Sequence, residues 1–211
     1  MIDEGYIKFE LDWQQGPAPD AALVAELDRW RRPLHAAKLI GHSARDDVGY
    51  GNLSLRSPGD GLFVISGTQT GHLAELGPQH CALVTACDVE RNRVSCRGPV
   101  RASSESMTHA ALYALSADIT AVVHVHSRPL WQALQDRLPT TDAAIAYGTP
   151  EMAREFARLY RDTDFARDGV AVMAGHDEGI VAFGHGMAQA ARRILALLEQ
   201  EGGAAPRMQD R

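Results

Sequence analysis

Lysine is almost missing from this chain of 211 residues: Lys8 and Lys38 are its only two, and arginine supplies the rest of the 21 basic residues. Against 27 aspartates and glutamates this leaves a net charge of -6 and a pI near 5.8. General binding of nucleic acid or of an anionic membrane needs the opposite excess and is excluded. Cysteine is scarce too: Cys81, Cys87 and Cys96 are odd in number, form no C-x-x-C pair and lie beside apolar runs, so a disulfide framework is excluded and reduced thiols are expected. No stretch reaches the ~18 apolar residues of a membrane span. Residues 1–10 carry Asp3 and Glu4 and no apolar run of signal-peptide length, so a cytoplasmic protein without membrane contact is expected. Internal repeats and low-complexity segments are also lacking.

What is present is the composition of a globular protein, 45% hydrophobic and 23% charged. At this length one domain can bury roughly 70% of its unfolded surface. A single domain over residues 1–211 is expected, with about 1–19 and 202–211 peripheral or flexible.

Asp20 precedes Leu23, Leu27, Trp30 and Leu34, the pattern of a capped amphipathic helix that Pro33 kinks or divides. From Gly49 the pattern changes to a hairpin: Leu53 and Leu55 alternate with Ser54 and Arg56, residues 57–61 are turn-forming, and 62–65 are apolar. Residues 81–86 and 93–97 predict two further strands joined across 88–92. Ser103 or Ser104 caps a predicted helix running to about Ser116, with Glu105 in its first turn. A β-branched strand at 121–125 follows, and Thr149-Pro150-Glu151 starts another helix. Strands at 170–174 and 180–183 and a helix at 187–201 complete the chain. Several strands are joined by turns too short for a parallel crossover, so the sheet should be mixed and covered by helices.

Nine histidines occur. His124 and His126 stand two apart at the end of Ala121-Val122-Val123-His124-Val125-His126, and residues i and i+2 of a strand share a face, so two imidazoles can converge on one metal ion. On spacing alone they are equally polar residues where a strand meets solvent. His176, after the apolar run at 170–174 and before Gly179, is a third candidate ligand. His35, His42, His72, His80, His109 and His185 lack such a setting and read as surface or structural residues. Glu105, within Arg101-Ala102-Ser103-Ser104-Glu105, is locally an ordinary first-turn acid, although a helix start with serines also suits an anionic ligand.

Taken in order, Gly51-Asn52-Leu53-Ser54-Leu55-Arg56, Ser103-Ser104-Glu105 with His109 four later, His124-Val125-His126 and His176 resemble the class II aldolase and adducin head family over about residues 21–199. The resemblance implies an α/β fold of three α/β/α layers around a mixed, largely antiparallel sheet. It implies a divalent cation, usually Zn2+, on His124, His126 and His176, with Glu105 as acid/base. Gly51, Asn52, Ser66, Gly67, Ser103 and Ser104 become substrate or anion contacts. It further implies a homo-oligomer, commonly a fourfold ring with sites between subunits, to which Tyr147 and the C-terminal helix would contribute.

The activity implied is that of a metal-dependent lyase, an aldolase cleaving a small hydroxy-carbonyl compound such as a sugar or sugar phosphate through an enediolate. With lysine outside the motifs, no Schiff base is expected. Epimerase, decarboxylase or dehydratase chemistry uses similar scaffolds, and adducin-type heads, which lack the histidine triad, are interaction modules. Two departures from the family stand out. Ser66-Gly67-Thr68-Gln69 replaces a Thr-Pro-Ser/Thr-Gly stretch that contributes to phosphate binding, and Asp177-Glu178 separates His176 from its glycine. Those acids could tune a ligand, meet a cationic group or face water.

Overall fold

The computed structural model describes residues 6–45, 47–59 and 61–202. The chain opens with β1 (Glu10–Gln15), in which half-buried Leu11 and Trp13 alternate with exposed polar residues. The segment expected at the periphery thus contains an ordered edge strand. Asp20 caps α1 (Ala21–Ala36), its carboxylate accepting hydrogen bonds from the Ala22 and Leu23 amides at 2.8 and 3.2 Å. The helix runs through Pro33 without division, because Pro33 lies in the last turn and Trp30 and Leu34 remain anchored in the core.

β2 (Gly41–Ser43) and β3 (Val48–Tyr50) form a separate ribbon. β4 (Asn52–Arg56) and β5 (Phe63–Ser66) are the expected hairpin, with Asp60 of its turn outside the described residues. β6 (Cys81–Asp88) and β7 (Arg93–Gly98) pair antiparallel, as their sequence predicts. Next come α2 (Ser106–Leu115), β8 (Ala121–His126), the short α3 (Arg128–Leu134), which the sequence analysis missed, and α4 (Pro150–Asp162), capped by the Thr149 hydroxyl. One-turn α5 (Phe165–Asp168), β9 (Val170–Val172), β10 (Gly179–Gly184) and α6 (Met187–Gln200) complete the fold. The tail expected to be flexible lies, from residue 203, outside the described residues.

Eight strands form one sheet in the order β1-β7-β6-β5-β4-β8-β10-β9. Among the strand pairs of the described residues only β1 and β7 run parallel, so the sheet is mixed and largely antiparallel. Alternation along the strands makes the layers. Ala121, Val123 and Val125 of β8 pack with Leu27, Trp30 and Ile194 of α1 and α6, while Val122 packs with Met107, Leu112 and Phe156 of α2 and α4. Each such fully buried aliphatic or aromatic side chain contributes roughly 1.5–3 kcal/mol. At one end of the sheet the C-termini of β8 and β5 meet the N-termini of β4 and β10.

Candidate active site

β8 is buried along its whole length, so its last two alternate positions place His124 and His126 inside the protein on the α2 side, the face of Val122. His176 comes from the turn between β9 and β10, where its amide donates to the Met173 carbonyl at 3.1 Å and its carbonyl accepts from the Gly179 amide at 2.9 Å. The candidate ligand atoms of these three histidines all lie within 4.8 Å of one another. His124 Nε2 is 3.0 Å from His126 Nε2 and 3.3 Å from His176 Nε2. Three imidazole nitrogens brought this close together form a compact nitrogen donor set. A tetrahedral cation with ~2.0–2.1 Å bonds sets its ligand nitrogens about 3.3–3.4 Å apart, and the donor set therefore fits a metal ion.

Gly179 is required by this packing. A Cβ there would stand 2.6 Å from His176 Cδ2 and 3.2 Å from His124 Cε1. Two tyrosines line the imidazoles. Tyr147, 1% exposed, holds its ring centroid 4.2 Å from that of His176, and Tyr50 stands 5.7 Å from His126. Burial, reinforced by the charge of Glu178, pushes the Tyr50 phenol above its ordinary pKa. Tyr147 thus packs against a histidine of its own chain.

Glu105 is fully buried, and Oε1 lies 3.4 Å from His176 Nε2. It occupies the N-cap position of α2 rather than the expected first turn. Ser103 causes the shift: its hydroxyl accepts from the Glu105 amide at 3.2 Å and its carbonyl from the Ser106 amide at 3.0 Å, so the chain turns once before the helix begins. The Glu105 side chain makes no capping bond and is directed to the histidines instead. One turn on, buried His109 bonds through Nδ1 to Ser54 Oγ at 2.7 Å, and the same hydroxyl meets Tyr113 at 2.8 Å. Burial pulls the His109 pKa down to about 3, so this clamp between α2 and β4 is neutral.

The remaining predicted positions gather at the same sheet end. Gly51 has φ +75°, and a Cβ there would fall 2.8 Å from Ile40 Cγ1, so the turn into β4 needs glycine. Asn52 is buried and register-paired with His124. The Ser66 hydroxyl accepts from the Leu53 amide at 3.3 Å. Gly67 bridges to Ala102, bringing the segment with buried Ser103 and Ser104 beside the end of β5. The Gly67 and Thr68 amides donate to the His80 and Arg101 carbonyls at 2.8 and 3.0 Å, so this loop offers hydroxyls rather than those two amides. Of the two acids after His176, Asp177 is exposed and Glu178 pairs with Arg128 at 2.8 Å.

This arrangement agrees with a family model, Class II Aldolase and Adducin N-terminal domain, that matches residues 32–200. The chain belongs to this family. Among solved structures it is similar to L-fuculose-1-phosphate aldolase from Thermus thermophilus, with 22% identity over 87% of this chain and 92% of that one and a TM-score of 0.61. It is likewise similar to YgbL from Escherichia coli, described as a candidate aldolase/epimerase/decarboxylase, with 24% identity, coverage of 90% and 94%, and a TM-score of 0.64. A sugar-phosphate aldolase from Thermotoga maritima gives 16% identity, coverage of 86% and 92%, and a TM-score of 0.65. No curated protein matches significantly. Across these distances the class II aldolase fold is what is shared, and residues 6–31 precede the family match. Among the described residues no helix is long and apolar enough to cross a membrane.

Proposed function

We propose that this class II aldolase family member is a zinc-dependent carbon–carbon lyase that cleaves a small hydroxy-carbonyl compound, of the sugar or sugar-phosphate class, in an aldol sense. The observation that carries this is the convergence of three buried imidazoles with a buried carboxylate 3.4 Å from one of them. His124, His126 and His176 hold the cation and Glu105 is the acid/base. A divalent ion held there supplies Lewis acidity toward the substrate oxygens on which negative charge develops. Glu105 moves the proton between substrate and site, within hydrogen-bond reach and sealed from bulk water. Asn52 and the hydroxyls of Ser66, Ser103 and Ser104 orient the substrate's oxygens, with Gly51 and Gly67 shaping the turns that present them. The absence of a lysine from the motifs supports a cation over a Schiff base.

The unit works as one domain in the cytoplasm and assembles as a homo-oligomer, a fourfold ring being the form the family suggests. The test is a paired one. Purified protein should carry about one zinc per chain and His126→Ala far less, and the zinc-loaded enzyme should release aldehyde from a panel of keto-sugars with and without phosphate. Equal zinc in the two proteins would remove the metal assignment. Epimerised, decarboxylated or dehydrated product without aldehyde would replace the lyase reading.

A further inference from the structure

The family match begins at residue 32, yet the segment ahead of β1 reaches the tyrosine ring that packs on the imidazole cluster. Residues 6–8 carry no regular structure, but they are tied down. Ile7 and Phe9 pack into the α2-side core. Asn92 Nδ2 donates to the Lys8 carbonyl at 2.9 Å, and the Glu10 amide donates to the Asn92 carbonyl at 2.9 Å. The Tyr147 hydroxyl donates to the Tyr6 carbonyl at 3.1 Å. Between these anchors, Lys8 Nζ lies 3.8 Å from the centroid of the Tyr147 ring, and that ring is packed on His176. Gly148, which follows Tyr147 with φ +66°, lies close to both the Ser104 carbonyl and the Lys8 stem: a Cβ there would stand 3.4 Å from that oxygen and 3.9 Å from Lys8 Cβ.

The three histidines are not held equally. His124 and His126 are fixed by a central strand bonded on both sides. His176 stands on a turn whose backbone is fastened by local bonds, so what remains to be set there is the orientation of its ring, which packs on Tyr147. We propose that residues 6–8 are a positioning element of the metal site: the Lys8 ammonium, held over Tyr147, fixes that ring against His176 and keeps the third imidazole aligned with the other two. The attraction of a cation for the ring face, strengthened by partial burial, gives the stack its hold. A ligand already oriented loses less freedom when it binds, which is how outer contacts of metal ligands raise affinity. This inference rests on the reading of the histidine cluster as a metal site.

Zinc affinity of the full chain, measured by competition with a chromophoric chelator, and the visible absorption of the Co2+-loaded protein test it. Lys8→Met keeps the apolar stem and removes the charge. It should weaken zinc about 10- to 100-fold, the range typical of outer contacts to ligands, and alter the Co2+ bands. Lys8→Arg returns a cation to the ring and should bind as the wild type does. Tyr147→Leu should weaken zinc comparably, and adding Lys8→Met to it should cost nothing more, because Lys8 acts through the ring. Wild-type affinity in Lys8→Met overturns the proposal, even if that variant melts earlier, since a merely structural contact changes stability alone. Additive losses in the double variant, or equal losses in Lys8→Met and Lys8→Arg, overturn it as well. A wild-type protein that takes up no zinc fails the metal reading itself, a result distinct from a zinc protein indifferent to Lys8.

Discussion

The two faces of the sheet are made by the same strands and differ by one residue of register. On the α1/α6 side, Leu53, Leu55, Val123, Val125, Ile180 and Ala182 bury an aliphatic surface. The buried charge there, Arg31, is held by the carbonyls of Thr70, Leu73 and Gly71 at 2.6, 2.7 and 3.2 Å, and burial lowers its pKa only to about 10. On the α2 side the neighbouring positions are Asn52, Ser54, His124 and His126, facing Glu105 and His109. Burying such groups costs stability unless each finds a partner. One face is therefore almost wholly aliphatic, while the other keeps its own core around Phe63, Val122 and Phe156 and gives up some stability at one end to assemble a site.

The sharpest way to break this comparison is to strike each face once. Glu105→Gln keeps shape and hydrogen-bonding ability but cannot exchange a proton, so turnover should fall by a factor on the order of 10² to 10⁴ with zinc content and melting nearly unchanged. A Glu105→Gln variant with wild-type turnover would make the carboxylate an element of structure only. On the opposite face Leu27→Ala, at a fully buried position, should cost roughly 2–5 kcal/mol in denaturant unfolding. Turnover per folded molecule should survive it. If Leu27→Ala instead empties the zinc site at temperatures where the protein is folded, the two faces are not independent.

Acid should separate them more gently. His109 has a folded pKa lowered to about 3, while an unfolded histidine titrates near about 6.5. Between those values the unfolded chain binds the proton and the folded chain does not, so stability rises with pH and is lost as pH falls through that window. The slope from this one group reaches at most about 1.4 kcal/mol per pH unit. His109→Gln, whatever its absolute stability, should show a flatter dependence of unfolding free energy on pH between about 6 and 4. Identical slopes would mean that the His109 ring is not the neutral group the Ser54 contact describes.

How much of this was legible beforehand follows the range of the forces involved. The His-x-His pair showed because a β-branched strand announces its own alternation, and α1 and α4 showed because Asp20 and Thr149 act within four residues of themselves. Pairing between distant segments left fainter marks. In β1 the alternation of Leu11 and Trp13 was present, but its parallel partner lies about eighty residues on. In α3 the Ser127 cap stood in view, with Pro129 inside the first turn, and its bond to the Leu130 amide at 3.5 Å is weak. The approach of Lys8 and Tyr147 to His176 is purely tertiary, and no local pattern in those residues encodes it. The turn of Ser103 that redirects Glu105 needed only hydroxyl and backbone geometry, yet serine serves equally well as an ordinary cap.

The smallest predicted effect concerns the two acids that separate His176 from Gly179. Asp177 is exposed, whereas Glu178 adopts φ +68° and pairs with Arg128, the first residue of α3. The Glu178 carbonyl accepts from the Ser127 amide at 3.0 Å, so the backbone already fastens this turn to the end of β8. The side-chain pair is an addition, with Arg128 57% and Glu178 27% exposed, and at that exposure solvent and salt screen most of the attraction. Arg128→Gln should therefore lower stability by about 0.2–1 kcal/mol, less at high salt, and leave zinc affinity at the wild-type value. Melting curves at two ionic strengths and a chelator titration decide the matter. If zinc affinity falls with Arg128→Gln, the pair is orienting His176 rather than resting on a turn already fixed by its backbone, and the polar face extends its influence to the rim of the site.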